Sequence, residues 1–293
     1  MFNDPFQHQH ITVNGVELAV THGGAGPPLI LLHGFPQTRA IWHRVAPELA
    51  RHFTLVMPDL RGYGASAVPP GDDAHRAYSK REMARDIVAL ADHFGFQSFA
   101  LAGHDRGGRV AYRLALDVPR RVTRLCVLDI IPTLDAWNEM DAAATVSAFH
   151  WPLLAATAPL PERLIGQDSE WFFRTLLQRW AGDFGRLEPA AVDEYLAQYR
   201  DAARIHAQCE DYRAGATVDR QLDQADRDAG RRIQCPVLLL WGTGYLGDKA
   251  KSPLATWRSW ADDVREVALD CGHFIVEEAP EAATAAMIEF FRD

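Results

Sequence analysis

The chain has 293 residues, 48% hydrophobic and 24% charged, enough apolar material for one large core or for a single domain carrying an insertion. A net charge of −9 and a sequence pI near 5.7 exclude the electrostatic footprint of a nucleic-acid or anionic-membrane binder. The four cysteines, Cys126, Cys209, Cys235 and Cys271, lack CxxC spacing and read as free thiols in a reducing compartment. No apolar stretch approaches the ~20 residues of a membrane span. The opening MFNDPFQHQHITVNG has no basic segment followed by an apolar run, so the expected location is the cytoplasm.

In chain order, residues 11–22 with the turn Val13-Asn14-Gly15 predict a hairpin or two short strands. Pro28–Leu32 is a continuous apolar run ending at His33-Gly34, and 53–57, 99–102, 125–128 and 237–240 have the same character. Continuous rather than alternating runs suit strands buried on both faces, as in a parallel sheet. Helical periodicity over 79–94 and 110–116 lies between them, so the alternation predicts an open α/β sheet with right-handed crossovers. Between about 132 and 225 the rhythm breaks into amphipathic helices. The expected organisation is an α/β core of residues 1–131 and 226–293 with a helical cap, 132–225, over the carboxyl ends of the strands, where such sheets place their sites.

Gly103-His104-Asp105-Arg106-Gly107 has the form G-x-nucleophile-x-G, directly after an apolar strand and before a helical run. That is the context of a nucleophile elbow, a sharp turn lifting one side chain clear of the sheet, with glycines where a Cβ would clash. The plainer reading is a glycine-rich turn with a capping aspartate. A carboxylate attacking an sp³ carbon forms an ester that water can hydrolyse, whereas a serine would leave an inert ether. Aspartate at the elbow therefore favours dehalogenation or epoxide opening over ester hydrolysis.

The fold that uses such an elbow orders its partners as nucleophile, acid, histidine. His273, in Asp270-Cys271-Gly272-His273-Phe274, is the candidate base that activates water against the ester. Asp129, at the end of the run 125–128, and Asp248, in the loop beyond Trp241-Gly242, are both candidates for the orienting acid; Asp129 lies closer to its strand and is preferred. His33-Gly34-Phe35-Pro36 suits an oxyanion loop in which the backbone N–H groups of Phe35 and Arg106 hold the negative oxygen.

Arg106 and Arg109 lie three apart on one face of the helix expected after the elbow, and paired arginines grip a carboxylate in forked geometry. An anionic substrate would otherwise be repelled by the anionic nucleophile, by about 1 kcal/mol at ~4 Å in water and about 4 kcal/mol at an effective dielectric of 20. Arg113 and Arg120 are expected to be solvated surface arginines. In the cap, Phe149-His150-Trp151-Pro152 and Asp211-Tyr212-Arg213 are open to two readings. One is helix-packing aromatics; the other is a cradle in which His150, Trp151 and Tyr212 donate to a leaving halide.

Taken together, HGFPQTRAIW, DLRGYG, GHDRGGR, VLDI, HW, IGQD, DYRA and CGHF make the chain, over nearly its whole length, closely resemble the fluoroacetate (haloacetate) dehalogenases of the α/β-hydrolase superfamily. HGFP and GHD are shared with epoxide hydrolases and haloalkane dehalogenases; GHDRGGR with HW and DYRA is narrower. The resemblance implies the α/β-hydrolase fold, a mostly parallel central sheet flanked by helices with an inserted helical cap. It implies Asp105 as nucleophile, His273 as base, Asp129 as acid, Arg106 and Arg109 as carboxylate ligands, and His150, Trp151 and Tyr212 around the halide. It further implies a small haloacid substrate, no metal or organic cofactor, and a homodimer. The rivals are an epoxide hydrolase using the same triad and a non-catalytic binding protein on a hydrolase scaffold, the latter opposed by the presence of nucleophile, acid and base together.

Overall fold

The computed structural model describes Phe2, residues 5–246 and residues 253–293; Asp248, the alternative acid, lies outside the described residues. Among the described residues eight strands form one sheet: β1 Gln7–Val13, β2 Val16–Gly23, β3 Pro28–Leu32, β4 Thr54–Pro58, β5 Phe99–His104, β6 Val122–Leu128, β7 Val237–Gly242 and β8 Val264–Leu269. Their order is β1-β2-β4-β3-β5-β6-β7-β8, antiparallel over β1-β2-β4 and parallel from β4 onward. The first turn follows from its residues: Asn14 and Gly15 adopt φ of 48° and 74°, the backbone of a tight Asn-Gly hairpin.

The continuous apolar runs are buried on both faces of the sheet. Ile30, Leu32, Val56, Leu101, Leu125, Val127, Val237 and Leu239 pack into one core. Their neighbours Leu29, Leu31, Leu55, Met57, Ala102, Cys126, Leu128, Leu238 and Leu240 pack into the other. The first core is covered by the helices Lys80–His93 and Asp105–Asp117, the second by Pro280–Arg292 and the turns around Ile41 and Trp42. Ser79 caps the helix Lys80–His93 by accepting from the Glu82 N–H at 3.2 Å, a capping-box sequence.

Between β6 and β7 the chain is helical from Thr133 to Asp228 and contributes no strand. Its packing surface is aromatic: Trp151, Phe173, Trp180, Tyr195, Tyr199 and Tyr212 join the first core. A π-helical turn, Gly215–Asp219, interrupts the last two helices, Ala202–Ala214 and Arg220–Asp228.

One expectation is overturned here. Arg113 is buried, not solvated, and donates to Asp226 and to Asp223 at 3.4 Å, both on the helix Arg220–Asp228. Those carboxylates neutralise it where the two helices meet, so the guanidinium tolerates the dry site. Arg120 is exposed, as expected. The four cysteines are buried and free. Among the described residues no helix is long and apolar enough to cross a membrane.

Candidate active site

Parallel strands β3, β5, β6, β7 and β8 bring their carboxyl ends to one edge of the sheet, and the residues singled out above collect there. β5 ends at His104 and the next helix begins at Asp105, whose φ of 46° places a non-glycine residue in the left-handed region. The turn needs its glycines. A Cβ on Gly103 would lie 2.4 Å from the Gly107 carbonyl oxygen, and one on Gly107 would lie 2.2 Å from the His33 carbonyl oxygen. Lifted by this turn, the Asp105 carboxylate is 13% exposed. Its Oδ1 accepts a hydrogen bond from the Phe35 N–H at 2.8 Å.

The loop that carries Phe35 is pinned by its own histidine. His33 Nδ1–H donates to the Gly34 carbonyl at 3.0 Å, while Nε2 accepts from the Leu60 N–H at 3.0 Å. Those partners fix one neutral tautomer, and burial lowers the pKa of the ring in the same sense.

His273 follows β8. Its Nδ1 lies 2.6 Å from Asp129 Oδ2, and Asp129 Oδ1 accepts from the Gly242 N–H at 2.9 Å. With Nδ1–H committed to the carboxylate, Nε2 is the basic nitrogen, and it lies 3.9 Å from Asp105 Oδ2. That separation is too long for a direct hydrogen bond, so Nε2 is not committed to Asp105. Asp129 sits one residue beyond β6 at φ 56°, a second left-handed aspartate.

The His273 backbone is also held. Its N–H donates to the Trp180 carbonyl and its own carbonyl accepts from His104 Nε2, both at 2.8 Å. Burial, then the proximity of His273, pushes the His104 ring down to about 3, so it stays neutral. Burial acts to raise the Asp105 carboxyl, but His273 and the Arg106 and Arg109 guanidiniums outweigh it and hold it below the usual carboxylate value. Asp105 is therefore ionised at neutral pH.

Arg106 and Arg109 are both buried beside this carboxylate. Arg106 Nε and Nη2 donate to Asp211, Nε at 2.8 Å to Oδ1 and Nη2 at 2.8 Å to the backbone carbonyl. Arg109 Nη1 donates to the Ile131 carbonyl and Thr133 Oγ1, each at 3.1 Å. Arg106 Nη1 and Arg109 Nε have no acceptor among the described residues. Buried, charged donors without acceptors are costly, and an incoming carboxylate would satisfy both.

The helical segment between β6 and β7 closes the site with aromatic rings. The Arg109 guanidinium lies 4.6 Å from the Trp151 ring centre, and that of Arg106 4.2 Å from Tyr212 and 5.9 Å from Trp151. His150 stacks parallel to Phe35 at 6.3 Å and lies 5.8 Å from Tyr212. Asp105, His273, Asp129, Phe35, Arg106, Arg109, His150, Trp151 and Tyr212 thus share one site.

Several neighbours were not anticipated. Asp211 anchors Arg106 and is itself held by Lys80 Nζ and, at 2.8 Å, by the Tyr63 hydroxyl. Burial would raise the Asp211 carboxyl, yet Arg106 and Lys80 bring it down to about 2. Trp180 packs 4.5 Å from His150 and 5.8 Å from His273, and Tyr245 lies 4.3 Å from His273. The only sequence signal for Asp211 was its adjacency to Tyr212 within DYRA. Among the described residues no group of three or more His, Cys, Asp or Glu side chains is arranged to hold a metal ion.

Comparison with known proteins shows the family of the chain. The family model described as alpha/beta hydrolase fold matches residues 27–280. A fluoroacetate dehalogenase from Burkholderia sp is 42% identical over 289 residues, covering 98% of this chain and 94% of that protein. A soluble epoxide hydrolase from Corynebacterium sp. strain C12 is 31% identical, with 97% and 96% covered. The crystal structure of a protein from Nostoc sp PCC 7120, named for the same fold, superposes with a TM-score of 0.95 at 44% identity, covering 98% of each chain.

Proposed function

Because the chain belongs to the α/β-hydrolase fold family, we propose that it is a hydrolytic dehalogenase of short 2-haloacids, converting fluoroacetate to glycolate and fluoride. The observation that carries this reading is the pair of buried guanidiniums, each with an N–H lacking an acceptor among the described residues, beside an ionised aspartate at a strand-to-helix elbow. The 42% identity to a fluoroacetate dehalogenase supports it. Residues 132–225 act as a cap.

The substrate carboxylate bridges Arg106 Nη1 and Arg109 Nε, which sets Cα against Asp105. One Asp105 oxygen attacks Cα and forms an ester bond as the carbon–halogen bond breaks, its electron pair leaving on the halide. His150, Trp151 and Tyr212 donate hydrogen bonds to that halide. This matters most for fluoride, which leaves only if donors replace its hydration. Water then adds to the ester carbonyl of Asp105 and gives a proton to His273 Nε2, while Asp129 holds the imidazolium. The Phe35 and Arg106 N–H groups receive the oxyanion. Collapse expels glycolate, whose hydroxyl oxygen takes the proton back from His273, and the Asp105 carboxyl releases the water's second proton to solvent, which restores the carboxylate.

An epoxide hydrolase uses the same three groups, and several relatives bear that name. It must also protonate the opening ring, commonly through a pair of cap tyrosines. Here Tyr212 is present, with His150 and Trp151 at the other position.

The test is halide release from fluoroacetate and chloroacetate by wild type and Asp105→Asn, with an epoxide as control. Fluoride release by wild type, lost in the variant, is the expected result. Chloride release alone would keep the mechanism and remove the fluoride assignment. Diol from the epoxide with no halide from either acid would overturn the reading.

A further inference from the structure

The backbone amides of the histidine loop, 272–274, are tied to other parts of the chain. The His273 N–H goes to Trp180 and its carbonyl to His104. The flanking amides, Gly272 N–H and Phe274 N–H, both donate to the buried carboxylate of Glu278, at 3.1 Å to Oε2 and 3.0 Å to Oε1. The same Oε2 accepts from the N–H groups of Gly182 and Asp183, at 2.8 and 3.1 Å. Those two residues belong to the helical segment, two and three positions beyond Trp180. One carboxylate therefore joins the histidine loop to the segment that roofs the site.

The contact is close as well as polar. A Cβ on Gly182 would lie 2.7 Å from Gly272 N, and one on Gly272 would lie 2.1 Å from Gly182 N. Hence the Gly182 and Gly272 backbones meet with no side chain between them, and Glu278 supplies the acceptor that the four converging amides need. A carboxylate suits this place because it offers only acceptors; a neutral amide would set an N–H against an N–H.

We infer that Glu278 is a positioning residue for ester hydrolysis: it sets His273 Nε2 over the Asp105 ester by clamping the histidine loop to the cap. It touches neither substrate nor the reacting atoms. Halide displacement needs Asp105, the arginines and the halide donors, none of which Glu278 holds. Water activation needs Nε2 placed closely, and a shift of an ångström in such a group slows a step on the order of 100-fold. The inference rests on the aspartyl-ester reading given above.

The test is rapid-quench kinetics with chloroacetate on wild type, His273→Asn, Glu278→Gln and Gly182→Ala. Gly182→Ala pushes the same joint from the cap side and leaves Glu278 intact, so it carries the test should Glu278→Gln fail to fold. The expected result for both joint variants is a halide burst near wild-type rate, followed by turnover roughly 10- to 100-fold slower. A glycolyl adduct on Asp105, read by mass spectrometry of the intact protein, should accumulate. Equal slowing of burst and turnover, or no slowing of either, would overturn the inference. His273→Asn separates the two proposals. If that variant gives neither burst nor adduct, the aspartyl-ester reading itself fails; if it traps the adduct and the joint variants do not, only the role of Glu278 fails.

Discussion

Arg106 Nε lies 2.8 Å from Asp211 Oδ1, and the same carboxylate takes up the buried ammonium of Lys80. Asp211 thus occupies one edge of the Arg106 fork and leaves Nη1 without an acceptor among the described residues. The π-helical turn keeps Gly215 against this guanidinium, where a Cβ would stand 3.1 Å from Nη2. Asp211→Asn should release the fork and leave two buried cations poorly compensated. A loss of about 3–5 kcal/mol in stability is expected, together with a KM for haloacetate raised about 10-fold or more. Denaturant unfolding and steady-state kinetics check both; an unchanged KM would mean that Arg106 does not meet the substrate.

Arg109 is held by two neutral oxygens, so among the described residues its charge is not matched by a carboxylate in direct contact. Arg109→Lys keeps the charge and loses the planar fork, and should lower kcat/KM for chloroacetate about 10- to 100-fold, the worth of a charge-assisted hydrogen bond. Chloroacetamide, with no carboxylate, should show no such loss. Equal losses on the two substrates would mean that Arg109 shapes the site rather than binding the anion.

Trp151 lies beneath Arg109 and edge-on to Tyr212, with ring centres 6.0 Å apart in the latter pair. Trp151→Phe preserves an aromatic face for the guanidinium and removes the indole N–H. Loss of one donor to a developing anion should cost fluoroacetate turnover on the order of 100-fold. Chloroacetate should lose less, because chloride is larger and more weakly hydrated. Parallel losses for the two halides would leave Trp151 a packing residue.

How much of this was readable from residues alone follows the range of the interactions. The buried strands were visible because Leu29–Leu32 and Val237–Leu240 are apolar on both faces. The Asn14-Gly15 turn and the elbow carry their backbone demands in their own residues. Arg113 was misread because its partners Asp223 and Asp226 lie 110 and 113 positions away. The helix that bears them, Arg220–Asp228, buries only those two aspartates, so hydrophobic periodicity has nothing to register. Asp211 was hidden similarly, 105 positions from Arg106. Local chemistry was legible; long-range neutralisation of buried charge was not.

Glu277, the neighbour of Glu278, offers a prediction in pH. Its buried carboxyl accepts from the Tyr195 hydroxyl at 3.0 Å and from Gln37 Nε2 at 2.5 Å. These join the helix Pro189–Ala197 and the Phe35 loop to the segment after His273. Burial pushes the carboxyl from 4.5 up to about 8, against the opposing effect of those two hydrogen bonds. Gln37 Oε1 has no partner among the described residues, and a flipped Gln37 amide would accept from the protonated acid. The folded state therefore holds a proton that the unfolded chain releases above about pH 4.5. The stability this contributes is fully present below that value and is lost as pH rises through about 8. A shift of this size is worth a few kcal/mol at most, or roughly 2–4 °C in Tm for each kcal/mol. Glu277→Gln keeps a neutral group of the same shape and has no proton to lose. Wild-type Tm should fall between pH 5.5 and 8.5 more steeply than that of the variant, which should be the more stable of the two at the alkaline end. Parallel curves would show that Glu277 is ionised throughout, with Arg44 as its counter-charge.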